Sequence, residues 1–123
     1  MTEAHPPTPR PSTVTDGDVA IVRIGGEVDM SNSDDLRGSC VDALDGGAGV
    51  LVVDLSEVTF FASSGIAALS HLREHNSSHR RRPVHVVASR SVRRSLEATA
   101  MDKLLPLHET VEEALTAAKS EAG

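Results

Sequence analysis

The sequence predicts a single α/β domain with a mixed β-sheet of about four to five strands and about four packed helices. Short apolar runs alternate with stretches whose apolar residues recur at helical spacing, which is typical of α/β layer folds with right-handed crossovers. Residues 50–53 are apolar at every position, as expected for a strand that helices cover on both faces. Asp16-Gly17-Asp18 predicts a hairpin, which makes the sheet mixed.

Length, charge and cysteine content limit the classes of function. A chain of 123 residues supports one domain with an adequate core. The net charge of −6 disfavours a general nucleic-acid binder, because phosphate neutralisation requires a basic face. Cys40 is the single cysteine and can form no internal disulfide, so a reducing, cytoplasmic setting is expected, with Cys40 buried on a helix. No apolar run approaches the length of a membrane span.

The proline content divides the chain into a tail and a domain. Residues 1–13 contain four of the six prolines and are predicted to be a disordered tail. The domain is predicted over residues 14–119, with a C-terminal tail at 120–123. Its first elements are a short edge strand at about 12–15, the hairpin turn, and a strand over 19–24. Gly25-Gly26 then marks a bend that requires glycine.

A first helix is predicted to follow this bend. The segment 31–35 offers hydroxyl caps followed by two aspartates, which suit the positive end of a helix. One helical face carries the apolar positions Leu36, Cys40, Ala43 and Leu44. The run 46–49, Gly-Gly-Ala-Gly, ends this helix ahead of the apolar strand.

The second half of the chain continues the same alternation. A polar loop is predicted over 76–83, including the basic run 79–82, whose default interpretation is a solvated loop. A strand over 84–88 precedes a helix that Ser89 or Ser91 caps and that extends to about residue 100. A short strand around Pro106 is expected at an edge of the sheet. The last helix is predicted from Glu109, with the apolar stripe Val111, Ala114, Leu115 and Ala118.

The candidate site lies in the middle of the chain, where a strand ends and a helix begins. After Asp54 and a polar turn come Phe60 and Phe61, the only aromatic residues of the types Phe, Trp and Tyr. Ser63-Ser64-Gly65 then leads into a helix with apolar residues at helical spacing. Open α/β sheets place their sites at the carboxyl ends of strands, so we expect the functional surface at this turn.

The same stretch resembles a known family. The pattern V-x-D-L-S-x-V-x-F, followed after a short gap by S-S-G-I and an apolar helix, is similar to the STAS domain, the module shared by sulphate transporters and bacterial anti-sigma factor antagonists. The resemblance extends over about residues 14–118 and implies a stand-alone anti-sigma factor antagonist. We expect a protein that binds and does not catalyse, and no residue pattern in the chain supports a cofactor or metal site. The implied partners are an anti-sigma factor, often a serine kinase, and a serine phosphatase.

The resemblance also implies a phosphorylation site. In the family the acceptor is the serine directly before the glycine, which is Ser64 here, with Ser63 as the alternative. Simple N-capping explains most serines at such turns. The family usually has an aspartate two positions earlier, where this chain has Ala62. A constitutive STAS binding or scaffold module of a stress-signalling complex, without a phosphoswitch, is therefore the alternative.

The expected partner-binding residues surround this turn. They are Asp29, Phe61, Ala62, Ser63, Ser64, Gly65 and Ile66. Asp29 belongs to a G-E-V-D segment that matches the family's G-E-L-D, although a turn residue that caps its local backbone is an equally good interpretation.

One motif suggests a different class of protein. His71, Glu74 and His75 form H-x-x-E-H, the arrangement of the inverted zinc-peptidase motif, so a zinc hydrolase is a remote alternative. A helical wheel places the three side chains opposite Ile66, Leu69 and Leu72, and hence toward solvent. A solvated helix face is the favoured interpretation, and no G-x-S-x-G elbow supports a serine hydrolase.

Overall fold

The computed structural model describes residues 8–78 and 83–122. Strands and helices alternate through this part of the chain, as the sequence predicts. The strands are β1 (Ser12–Asp16), β2 (Val19–Arg23), β3 (Gly26–Val28), β4 (Val50–Leu55), β5 (Val58–Phe61), β6 (His85–Ala88) and β7 (Leu107–His108). The helices are α1 (Ser33–Asp45), α2 (Ser63–Ser78), α3 (Arg90–Ala98) and α4 (Val111–Ala122), with a 3-10 turn at Met101–Lys103.

The main sheet is mixed and has five strands in the order β1-β2-β4-β6-β7. β1 pairs with β2 in an antiparallel hairpin, and the other neighbours are parallel. Gly17 turns the hairpin with φ of 62°, a backbone conformation that glycine adopts without steric cost. The mixed α/β fold class and the hairpin are therefore confirmed.

β4 lies in the middle of this sheet and is buried at all six positions. Alternate residues point to opposite faces of a strand. Leu51, Val53 and Leu55 join the larger core, to which α1, α2 and α3 contribute. Val50 and Val52 pack in the smaller core against α4. The prediction of a strand covered on both faces is confirmed.

A second, two-stranded sheet was not predicted. β3 and β5 pair in parallel, with Val28 opposite Phe61. The N–H of Ala62 donates to the carbonyl of Val28 at 2.9 Å, which extends the pairing to the start of α2. The loop that follows β3, beginning with Asp29, therefore lies beside the first turn of α2.

Helix α3 covers the outer edge of β5 through serine side chains. The hydroxyl groups of Ser89, Ser91 and Ser95 donate to the carbonyls of Val58, Thr59 and Phe61 at 2.7, 2.9 and 3.2 Å. An edge strand presents unpaired carbonyls, and these bonds satisfy three of them. α3 thereby fixes the strand that ends at the candidate site.

Some predicted boundaries are wrong. α2 continues to Ser78, so residues 76–78 are helical and not loop, and Asn76 is buried. The basic run 79–82 lies outside the described residues. Ser89 is the N-cap of α3, which ends at Ala98. α4 begins at Val111, two residues after the predicted start, and the Thr110 hydroxyl accepts a bond from the N–H of Glu113 at 3.1 Å.

The elements at the two ends of the domain extend close to the limits of the described residues. β1 begins at Ser12, where the short edge strand is predicted, and the carbonyl of Pro9 accepts a bond from the Asn32 side chain at 3.1 Å. Residues 1–7 lie outside the described part of the chain. At the other end, α4 extends to Ala122. β7 lies at the edge of the sheet as predicted, but it contains only two residues and begins after Pro106.

Cys40 is buried on α1, as predicted. Burial raises the pKa of its thiol to about 12, so the thiol stays protonated at neutral pH. None of the helices formed by the described residues is both long and apolar enough to cross a membrane.

Candidate functional site

The candidate site is the junction at which β5 ends and α2 begins. Ala62 separates the two elements, and its carbonyl accepts bonds from the N–H groups of Gly65 at 2.9 Å and Ile66 at 3.3 Å. A helix leaves its first N–H groups without backbone partners, and a Ser, Thr, Asp or Asn before the helix normally accepts from one of them. Ala62 has no side-chain oxygen, so this cap is missing from α2.

The two serines of the first turn have different surroundings. Ser63 is exposed. Ser64 is half-buried; its Oγ is buried and has no hydrogen-bond partner among the described residues. A buried hydroxyl without a partner costs about 1–3 kcal/mol. A χ1 rotation between staggered positions can point this hydroxyl away from the buried position.

An open cavity of about 330 Å³ lies next to Ser64, between α1 and α2. Asp34 and Arg37 line it from α1, while Ser64, Ala67 and His71 line it from α2. Ser64, Ala67 and His71 share one face of α2, because residues three, four and seven apart lie above one another on a helix. The cavity therefore brings two basic side chains to the same groove as the Ser64 hydroxyl.

Gly65 and Phe61 fix how α2 leaves β5. Phe61 is only 4% exposed. A Cβ atom at Gly65 would lie 2.7 Å from Cε1 of the Phe61 ring, so only glycine fits here without movement. Phe61 therefore packs beneath the turn, and the contact predicted for it with a partner remains a prediction.

Two exposed apolar side chains border the turn instead. Phe60 is 53% exposed on β5, and Met30 is 87% exposed directly after Asp29. Neither residue belongs to the set of partner-binding residues expected from the sequence. The exposure of Phe60 could have been predicted from the sequence. Adjacent residues of a strand point to opposite faces, so only one of the two phenylalanines could enter the core.

Asp29 adds a fixed negative charge to the same edge. Its Oδ1 accepts hydrogen bonds from the hydroxyl and from the N–H of Ser31. These bonds, the side-chain bond first, hold the pKa of the Asp29 carboxyl below its ordinary value of 3.8, against a weaker opposing effect of burial. Asp29 is therefore ionised at neutral pH and also organises its own loop.

Asn32 holds this loop in place and was missed as a structural residue. It is 1% exposed, and its Nδ2 donates to the carbonyls of Glu27 at 2.9 Å and Pro9 at 3.1 Å. Its Oδ1 accepts from the N–H of Asp29 at 3.0 Å. Asn32 occupies the N-cap position of α1 but makes no side-chain cap bond. Its side chain joins the end of β3 to the segment before β1.

The H-x-x-E-H residues do not converge on one point. His71 and Glu74 are exposed. His75 is half-buried, with its Nε2 3.0 Å from Oδ1 of Asp45 on α1. The expectation that all three side chains point to solvent is wrong for His75. Within residues 8–78 and 83–122, no group of three or more His, Cys, Asp or Glu side chains could hold a metal ion.

The chain is similar to a described protein family and to curated proteins. The STAS domain family model matches residues 10–114. The anti-sigma-F factor antagonist RsfB of Mycobacterium tuberculosis is 34% identical over 108 residues, which cover 85% of this chain and 87% of RsfB.

Solved structures agree with this likeness. The crystal structure of an anti-sigma factor antagonist from Mycobacterium paratuberculosis superposes with a TM-score of 0.79 at 28% identity, covering 94% of this chain and 97% of that one. An anti-sigma-factor antagonist (STAS) domain protein from Planctomyces limnophilus has a TM-score of 0.75 at 19% identity, covering 88% and 97%. At that identity the second likeness concerns the fold alone.

Proposed function

This chain belongs to the STAS domain family, and from that premise we propose that it acts as an anti-sigma factor antagonist. The observation that carries the proposal is the 34% identity to RsfB over 85% of the chain, because RsfB is an anti-sigma-F factor antagonist. The protein acts by binding and not by catalysis. It captures an anti-sigma factor in the bacterial cytoplasm and so releases a sigma factor for transcription.

The contact surface in this proposal surrounds the start of α2. It consists of the exposed first turn at Ser63, the half-buried Ile66, the charged Asp29, and the exposed apolar side chains of Met30 and Phe60. Apolar and aromatic anchors near the centre of an interface supply most of its binding energy. Phe61 and Gly65 hold this surface in position from below. Ala62 and Ser64 lie within it.

Phosphorylation of Ser64 is the proposed switch. The anti-sigma factor, acting as a serine kinase, transfers the γ-phosphoryl group of ATP to Oγ, and ADP and the hydroxyl proton leave. The phosphate adds about −1.5 to −2 charges at the contact surface. Repulsion and desolvation there need to remove only about 3 kcal/mol of binding free energy to weaken binding a little over a hundredfold. A serine phosphatase reverses the modification.

The burial of the Ser64 Oγ and the alanine at position 62 favour a second candidate function. In that alternative the chain is a constitutive STAS binding or scaffold module of a stress-signalling complex, and no phosphate regulates it. Phosphopeptide mass spectrometry on protein isolated from its own cells separates the two. Phosphate on Ser64 supports the switch. Phosphate on the exposed Ser63 moves the switch by one residue, and unmodified peptide under all growth conditions supports the constitutive module.

Co-purification from native lysate tests the main proposal. The unaltered protein and Ser64→Ala should retain an anti-sigma factor, whereas Ser64→Glu should lose it. Ser77→Glu is the matched control, because it adds the same charge at an exposed serine about three and a half turns further along α2. If all variants retain the anti-sigma factor, the antagonist role stands and phosphorylation of Ser64 is not the switch. If no variant retains an anti-sigma factor, the proposed function is wrong.

A further inference from the structure

The groove beside Ser64 contains basic side chains that the partner-binding proposal does not use. Arg37 on α1 and His71 on α2 line the same cavity of about 330 Å³ as Ser64. A water molecule occupies about 30 Å³ in the liquid, so the cavity has room for a phosphoryl group. The cavity is open to solvent, and His71, which lines it, is exposed.

The guanidinium of Arg37 can exchange its present carboxylate partner for an anion of higher charge. Its guanidinium lies 3.7 Å from a carboxylate oxygen of Asp34, and both side chains are well exposed, at 41% and 88%. Exposed pairs of this kind contribute little to stability, since water solvates both charges and ordering two long side chains costs entropy. A phosphate dianion carries more charge than a carboxylate and accepts two parallel N–H bonds from the planar guanidinium.

We propose that Arg37, assisted by His71, is the receiving site for a phosphate on Ser64. This inference rests on the proposed phosphorylation and states what the modified side chain does next. The phosphorylated Ser64 side chain rotates out of its buried position into the groove. There the Arg37 guanidinium exchanges Asp34 for the phosphate and donates two parallel hydrogen bonds to its oxygens. His71 lies about two turns along the same helix face and adds a second donor. Among the described residues, Asp34 is the one acidic residue that lines the same groove.

Two consequences distinguish this arrangement from a phosphate that projects into solvent. Arg37 links the start of α2 to α1 in the modified protein, so the modification ties together two helices whose mutual contact forms the groove. The carboxylate of Asp34 also loses its cation, so the negative charge that it already carries is left unpaired at the rim of the groove. Both changes oppose rebinding of a partner and make the modified form a distinct, ordered state.

The test uses protein in which phosphoserine is installed at position 64 during synthesis, so that it does not depend on any kinase. The ³¹P NMR titration midpoint of the phosphate, ordinarily near pH 6, is measured in the unaltered chain, in Arg37→Ala and in Arg37→Gln. A neighbouring cation lowers this midpoint by about 1 unit. We expect a low midpoint in the unaltered chain and its return toward 6 in both arginine variants. His71→Ala should move it by less.

Lys103→Ala is the matched control, because it removes the same unit charge from an exposed residue of the 3-10 turn. It should leave the midpoint within about 0.2 unit of the unaltered chain, since a single distant exposed charge is screened by salt. Equal midpoints in the unaltered chain and in both Arg37 variants would overturn the inference. That outcome is separate from loss of the proposed function, because the lysate experiment measures partner capture and this one measures only where the phosphate lies.

Discussion

The chain passes from a strand into a helix at two neighbouring places, and the two junctions are built differently. At the start of α3, Ser89 accepts a bond from the N–H of Val92 at 3.3 Å and donates to the carbonyl of Val58 at 2.7 Å. At the start of α2, Ala62 offers no side-chain acceptor, and the buried Ser64 hydroxyl has no partner among the described residues. The first junction is satisfied and the second is not.

We take this difference as an argument that the α3 junction is structural and that the α2 junction is the candidate site. Buried polar groups in folded proteins are almost always hydrogen-bonded, and exceptions concentrate where function requires them. The α3 junction anchors the edge of β5 and gains stability from each bond. The α2 junction keeps the Ser64 hydroxyl without a partner among the described residues, which is consistent with the proposed role of this turn.

The largest expected effect is at Gly65, where the α2 junction meets Phe61. Gly65→Ala places a Cβ atom 2.7 Å from the Phe61 ring, so the ring or the helix must move. Overpacking of this kind costs about 1–3 kcal/mol in the free energy of unfolding, measurable by urea denaturation. Gly38→Ala is the control, because no atom lies within 4 Å of its new Cβ; it should stabilise α1 by up to about 1 kcal/mol. Equal effects at the two glycines would refute this account of the turn.

The second prediction breaks the satisfied junction. Ser89→Ala removes the cap of α3 and the bond to Val58, so the free energy of unfolding should fall by about 1–2 kcal/mol. Ser63→Ala, at the exposed start of α2, should change it by less than about 0.5 kcal/mol. Thermal and urea unfolding of the two variants measure the contrast. If the Ser63 variant loses as much as the Ser89 variant, the two junctions do not differ as described.

The third prediction repairs the unsatisfied junction. Ala62→Asp supplies a cap and places a negative charge at the positive end of α2, so the protein should gain about 1 kcal/mol. Ala62→Asn supplies the same acceptor without the charge, and comparing the two variants in urea separates the cap from the dipole effect. A loss of stability in both variants would mean that a side chain at position 62 cannot reach the first-turn N–H groups.

Local patterns explain why much of the fold could be predicted. The burial of β4 on both faces follows from its unbroken apolar run, and the hairpin follows from Asp-Gly-Asp. The start of α1 follows from its acidic first turn, with Asp34 and Asp35 in place. Each of these features depends on residues that are close together in the sequence, where propensity and periodicity act.

The missed features depend on residues that are far apart in the sequence. The β3–β5 sheet pairs segments about thirty residues apart, and neither segment is long enough to show a strand period. Asn32 looks like a helix cap but bonds to Pro9, 23 residues earlier. The burial of the Ser64 Oγ also becomes visible only in the folded chain. The turn between β5 and α2 therefore follows from the sequence, whereas the exposure of Phe60 and Met30 beside it becomes visible only in the structure.

The smallest expected effect concerns Asp29, which gives the α2 junction a charged neighbour. Ser31→Ala removes the hydroxyl bond that contributes most to lowering the pKa of Asp29, while the backbone N–H bond remains. The carboxyl midpoint, followed by ¹³C NMR, should therefore rise toward 3.8 without reaching it. Because the folded-state pKa lies below the unfolded one, this interaction stabilises the fold above pH 3.8 and is lost as the pH falls through the folded midpoint. Above about pH 5 the variant should keep Asp29 ionised, so its partner binding should not depend on pH through this group.

Ser39→Ala, on α1, is the control and should leave the Asp29 midpoint unchanged. An unchanged midpoint in the Ser31 variant would show that the backbone bond alone holds Asp29 ionised.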